Sequence, residues 1–130
     1  MSARLMFTKI VVEDLDAQSA FYANVLGLEP KHRFSGGAGD AAFEEIVMGD
    51  GPSLLLLHYP HREPPRRGGT VLGFAVADVD QVVRAAEHAG GAVRSEPKTL
   101  AQPAIRVAEL ADPEGHLLEI IQHMGEETDV

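Results

Sequence analysis

No cysteine occurs among the 130 residues, so disulfides, thiolate zinc sites and cysteine nucleophiles are excluded at once. No apolar run approaches the length of a membrane span, and Met1-Ser2-Ala3-Arg4 leads directly into a short strand. Neither a membrane segment nor a secretory signal is therefore expected, and the expected location is the cytoplasm. Positive charge is scarce: 11 Lys and Arg against 20 Asp and Glu leave a formal net charge of −9, which disfavours nonspecific nucleic-acid binding. Part of that acidity is a tail carrying Glu126, Glu127 and Asp129. The glycine pairs Gly36-Gly37 and Gly68-Gly69 do not lead from a strand into a helix, which weighs against a nucleotide phosphate loop. No Ser or Thr stands beside a suitable His and Asp, so a nucleophile triad is unsupported. What is left is an ordinary globular composition, 45 % apolar and 24 % charged, in a length that fits one compact domain.

Against these absences, the segment Asp112-Pro113-Glu114-Gly115-His116-Leu117-Leu118-Glu119 is the most informative part of the chain. Asp-Pro-x-Gly suits a type I turn, because Asp caps its first position, Pro presets φ at the second and Gly relieves the fourth. Leu117-Leu118-Glu119-Ile120-Ile121 then reads as a strand that is apolar except for one carboxylate. An ionised carboxylate in such a run needs water, a metal or a hydrogen-bonding partner.

The order of elements repeats. Met6 to Val12 reads as a strand, Asp14 as a helix N-cap, Leu15, Ser19, Tyr22 and Leu26 as a helical stripe, and Gly27 as its stop. Strands are expected at 28–34, 41–48 and 53–59, with a flexible loop over 35–40. Residues 60–69 read as a linker, after which the pattern restarts: a strand over 70–76, Asp78 as N-cap with Gln81 in the capping-box position, and a helix over 79–89 ended by Gly90-Gly91. Strands are then expected near 92–96, 103–111 and 116–123. A shift of 64 residues places Val12-Glu13-Asp14-Leu15-Asp16 on Val76-Ala77-Asp78-Val79-Asp80, Gly27 on Gly91 and Gly51 on Gly115. The chain is an internal duplication, with module one over about 4–60, module two over about 70–123 and the tail over 124–130. The expected class is α+β: two βαβββ modules forming a curved, incomplete barrel around a cavity, with helices outside.

A duplicated βαβββ unit carrying Val12-Glu13-Asp14-Leu15-Asp16, Phe21-Tyr22, Leu26-Gly27-Leu28 and Asp112 to Glu119 resembles the vicinal oxygen chelate superfamily. This is the group of glyoxalase I, bleomycin-resistance proteins, fosfomycin-resistance enzymes, extradiol dioxygenases and methylmalonyl-CoA epimerase. The match runs over roughly residues 4 to 123. It implies a homodimer and, in glyoxalase-like members, a divalent metal held by His, Glu or Gln from four strands. The resemblance carries those positions onto Phe7, Leu56 (Leu55 if the register slips by one), Val71 and Glu119. Only Glu119 retains a metal-binding side chain, so no metal and no other cofactor is expected at the family position. The same substitutions imply an apolar cavity suited to an organic ligand.

Two readings of Glu119 stay open: a hydrated, inherited carboxylate, or a desolvated acid able to act as general base or to grip a cation. Lys9 shares a strand face with Phe7, so it either joins the cavity or snorkels at its rim. His58 shares the face of Leu56 in the preferred register and is a candidate acid or base. Phe7, Phe34 and Phe43 are candidate ligand walls, whereas Phe21, Tyr22 and Phe74 look like packing. His116 is expected to turn away from Glu119. Arg106 and Glu109 point opposite ways on their strand, one of them inward. Three functions follow, in this order. The first is a metal-free binder of a small hydrophobic or cationic molecule, with Phe7, Leu56, Val71 and Phe43 lining its site. The second is a metal-independent isomerase or lyase using Glu119 with Lys9 or His58. The third is a metal-dependent glyoxalase-like lyase or dioxygenase. No nucleic-acid or membrane partner is expected.

Overall fold

The computed structural model describes residues 5–66 and 68–125. Residues 126–130 of the acidic tail, Met1-Ser2-Ala3-Arg4 and Arg67 therefore lie outside the described residues. The chain divides into two compact units, Met1–Arg66 and Arg67–Val130. Each is α+β, and among the described residues each contains one α-helix and one four-stranded sheet that does not close on itself.

In the first unit, β1 (Phe7–Val11) leads into α1 (Leu15–Leu26), followed by β2 (Pro30–Gly36), a short 3₁₀ turn (Gly39–Ala41), β3 (Phe43–Met48) and β4 (Ser53–His58). The helix starts where the Asp14 carboxylate accepts the Ala17 backbone N–H at 3.0 Å. It stops at Gly27, whose φ of 72° only glycine adopts readily. The sheet order is β1-β4-β3-β2, with β1 parallel to β4 and the other pairs antiparallel.

In the second unit, β5 (Val71–Ala75) leads into α2 (Val79–His88), then β6 (Ala92–Leu100), β7 (Ile105–Ala111) and β8 (Leu117–His123). Asp78 caps α2 by accepting the Gln81 N–H at 3.1 Å. The order β5-β8-β7-β6, again with one parallel pair, repeats the first sheet. Strand β6 runs four residues beyond the expected 96, and a turn over 101–104 delays β7 to residue 105. No helix among the described residues is long and apolar enough to cross a membrane.

One helix covers one face of each sheet. In the first unit, Ser19 on α1 reaches Met48 on β3, Oγ to Sδ at 3.5 Å, which marks the helix face. Met48 pairs with Leu54, and Ile10, Leu56 and Ile46 form the next row across three strands, all buried. In the second unit, Leu72, Leu118, Ile120, Ala108 and Leu110 make the corresponding core. There the backbone N–H of Val79 donates to Gln122 Oε1 at 2.9 Å and ties α2 to β8. An arginine clamps each helix start. Arg33 Nη1 meets Asp16 Oδ1 at 2.6 Å, and Arg106 holds both oxygens of Asp80 at 2.8 and 2.9 Å. Arg106 therefore faces α2, and Glu109 takes the opposite face.

Two outcomes test this arrangement. Leu56 is fully buried, so Leu56→Ala should lower the unfolding free energy by about 2–5 kcal/mol in urea titrations. Val71→Ala, at a position 52 % exposed, should cost less than about 1 kcal/mol. The Arg106 guanidinium holds the Asp80 carboxyl below the usual carboxylate range. A depressed folded pKa contributes stability above the unfolded value and loses it as pH falls through the folded one. The stability gap between the native chain and Asp80→Asn should be full at neutral pH and shrink towards zero under acid; a gap independent of pH would contradict the clamp.

Candidate functional site

The Asp112 turn aims the strand that carries Glu119. The Asp112 side chain is fully buried, and its Oδ1 accepts the backbone N–H groups of Glu114 and His116 at 2.9 and 3.0 Å. His116 Nδ1 lies 2.8 Å from Oδ2; since a carboxylate only accepts, Nδ1 carries the proton of that contact. The Gly115 N–H closes the turn on the Asp112 carbonyl at 2.9 Å, with φ of 96° at Gly115. His116 thus has a structural task, and β8 begins at Leu117 with its phase fixed.

That phase puts Glu119 on the face away from α2, beside Gly73 on β5 and directly opposite Glu109 on β7. Val71, Ala75, Leu117 and Ile121 share this far face. Glu119 is exposed, which favours its hydrated reading over the desolvated one. The space above Gly73 is open, so no side chain from β5 shields the carboxylate. Like charges directly opposite across an antiparallel pair repel, and a cation between Glu109 and Glu119 would relieve that repulsion. Next along the same face lies an apolar pocket of about 640 Å³ bounded by Gly73, Ala75, Pro103, Ile105, Ile121 and His123. Ile121 is its floor and the neighbour of Glu119 on that face. The pocket depends on small residues at Gly73 and Ala75 and on the 101–104 turn. Neither feature stands out in the sequence.

The far face of the first sheet carries Phe7, Lys9, Phe34, Phe43, Glu45 and Leu57, since Glu45 pairs with both Phe34 and Leu57. Lys9 Nζ reaches across β4 to Glu45 Oε2 at 3.0 Å and sits 5.5 Å from the Phe7 ring centroid. The Glu45 side chain is only 5 % exposed and that of Lys9 39 %. Glu45 was missed by sequence reasoning because Glu44-Glu45 reads as surface; only the strand parity separates the two residues.

Leu56 and His58 require correction. Leu54, Leu56 and His58 belong to the α1 face, so Leu56 is core rather than a wall of the surface bearing Phe7. The slipped register holds, and Leu55 stands on the Phe7 side. His58 Nδ1 contacts the Val12 carbonyl oxygen at 3.0 Å, closing the end of β4 against the start of α1. His58 therefore faces α1, away from the surface bearing Phe7, and is not placed there as the expected acid or base.

The family's metal does not fit these residues. Phe7, Leu55 and Val71 offer hydrocarbon where lone pairs are needed, and one carboxylate with water holds a divalent ion weakly. Among the described residues no three His, Asp or Glu side chains converge as a ligand set.

The comparisons agree with the architecture. A model of the Glyoxalase/Bleomycin resistance protein/Dioxygenase superfamily matches residues 4–120. A lactoylglutathione lyase of Neisseria meningitidis is 28% identical over 124 residues, spanning 92% of this chain and 90% of that protein. A probable lactoylglutathione lyase of Vibrio parahaemolyticus is 25% identical, spanning 94% and 92%. Among solved structures, a glyoxalase family protein from Bacillus cereus superposes with a TM-score of 0.81 at 20% identity, over 96% of this chain and 97% of that one. Glyoxalase I of Zea mays gives 0.76 at 21% identity, with 94% of this chain covering 45% of that protein. At these identities the structural likeness shows the fold alone.

The turn that sets the phase of Glu119 is open to a direct test. Asp112→Ala removes three contacts to a buried charge and should cost on the order of 3 kcal/mol in denaturant titrations. Asp112→Asn, which can still accept the two N–H bonds, should cost about half as much. Equal losses for both would show that the charge contact with His116 outweighs the N–H bonds.

Proposed function

The chain belongs to the Glyoxalase/Bleomycin resistance protein/Dioxygenase superfamily, and on that premise we propose that it binds a small hydrophobic or cationic organic molecule without a family-type metal. The observation that carries this is the apolar pocket of about 640 Å³ beside Glu119, a volume typical of small-molecule sites. An apolar group rests on Ile121 and Ile105, over the small side of β5. A positive group, where the ligand has one, is drawn to Glu119 and Glu109. Hydrocarbon side chains at the other family ligand positions remove the donor set on which a metal-dependent lyase relies. The relatives named lactoylglutathione lyase therefore supply the scaffold here, and their chemistry is not assigned to this chain.

A second reading keeps Glu119 as the base of a metal-independent isomerase or lyase. It is favoured by the exposure of Glu119 and by the open space over Gly73, which give a substrate access to the carboxylate. Under either reading we expect a homodimer.

Naphthalene and naphthylmethylammonium are suitable probes, read by ligand fluorescence in a chain that has no tryptophan. Ile121→Glu should weaken naphthalene at least about tenfold, which is about 1.4 kcal/mol. Glu119→Gln should weaken the ammonium and leave naphthalene unchanged. Stoichiometric Ni, Zn, Fe or Mn in purified protein, or formation of lactoylglutathione on metal loading, would overturn the metal-free reading. If Glu119→Gln alters neither affinity nor turnover, the carboxylate is structural.

A further inference from the structure

Methionine sulfur accepts a hydrogen bond beside each of the two helices. In the first unit the sulfur is that of Met48, fully buried under α1 and out of reach of solvent. In the second unit it belongs to Met124, just beyond β8, and that residue is only half-buried. Gln122 stands between Met124 and α2. Its Oε1 accepts the Val79 N–H at 2.9 Å, and its Nε2 lies 3.5 Å from Met124 Sδ. A backbone N–H only donates, so Val79 fixes which end of the amide meets the helix and which meets the sulfur.

The start of α2 hangs on this amide and on its neighbour. Arg106 pairs with Gln122 across β7 and β8 and grips Asp80, so two adjacent side chains hold the first turn of the helix. Met124 is itself anchored, its backbone N–H donating to the Ala104 carbonyl at 2.9 Å. The contact to sulfur is the weakest of the set, because a thioether is a poor acceptor. It is also the one that an oxidant can alter. Hydrogen peroxide transfers one oxygen atom to the sulfur and leaves as water. The sulfur loses two electrons, and the peroxide O–O bond takes them up as it breaks. The product is a polar S=O group on a side chain with three rotatable bonds, free to turn its oxygen towards Gln122 Nε2.

We propose that Met124 is a site of reversible oxidation whose sulfoxide fastens Gln122 onto the start of α2. The sulfoxide oxygen accepts from Nε2, which keeps Oε1 on the Val79 N–H and ties the helix more firmly to β8. Met124 is the modified residue, and Gln122 is a positioning residue that carries the effect to the helix. Met48 stays reduced because it is fully buried. The device lies on the helix side of β8 and needs no ligand on the strand's other side.

The test uses the full chain carrying Met6→Leu, since Met6 is 66 % exposed and would oxidise independently. In dilute hydrogen peroxide, peptide mass spectrometry should find oxygen on Met124 well before Met48. Amide exchange at Val79, followed by NMR, should slow about fivefold on oxidation, while amides in α1 keep their rates. Methionine sulfoxide reductase should restore the original rate. Gln122→Glu keeps an acceptor for the Val79 N–H but has no donor for the sulfoxide, so peroxide should leave its Val79 exchange unchanged. Met124→Leu, close in volume to the native side chain, should fold normally and give no response to peroxide. Oxidation of Met48 ahead of Met124, Val79 exchange that is unchanged or faster after oxidation, or equal slowing in Gln122→Glu overturns the proposal.

Discussion

Strand parity is the constraint on which the rest of the structure depends. A single helix covers each four-stranded sheet, so each residue's place in the alternation decides whether its side chain enters the helix-side core or the other face. Ser19 against Met48 sets that parity in the first unit, and Gln122 against the start of α2 sets it in the second. The consequences are then forced. Leu56 is core and Leu55 is not; Glu44 stands on the helix side while Glu45 lies beside Lys9. Arg106 reaches Asp80, and Glu109 turns to meet Glu119. A slip of one residue would exchange the members of each pair and place buried charge beneath a helix.

Within that shared frame the two units have diverged on the faces away from their helices. Both keep an aspartate in the first helical turn with an arginine upon it, although Arg33 comes from the first strand after α1 and Arg106 from the second strand after α2. The clamp supplies the helix start with negative charge that suits its dipole and neutralises it in turn. The far faces are another matter. The first has an ion pair, Lys9 with Glu45, beside an aromatic ring, while the second has two carboxylates opposite one another next to an apolar pocket.

Much of this was legible in the sequence, and what was not has a physical cause. Asp14, Gly27, Asp78 and the Asp112 turn act through local backbone chemistry, so their neighbours in sequence suffice to identify them. The duplication emerges because those markers recur at one spacing. The run Leu54-Leu55-Leu56-Leu57 gives no alternation to read, and all four residues are buried, so its phase depends on contacts made by other strands. His58 inherited the same uncertainty. Glu45 was hidden by Glu44, an adjacent identical residue with the opposite fate. The pocket beside Ile121 rests on what Gly73 and Ala75 lack, together with a turn distant from them in sequence.

Exposure explains how a single carboxylate stands in the otherwise apolar run Leu117-Leu118-Glu119-Ile120-Ile121. A buried, isolated carboxylate would be too costly to retain, and an apolar replacement would match the flanking leucines and isoleucines. On the face away from α2 that cost does not arise, because Glu119 is exposed and the space over Gly73 is open to solvent. The remaining penalty is repulsion from Glu109 across the strand pair, which hydration moderates and a bound cation would abolish. A carboxylate kept in water beside a greasy pocket needs no metal to explain its presence. Its charge is the one polar feature that the surrounding hydrocarbon of Leu117 and Ile121 cannot supply on that side of β8.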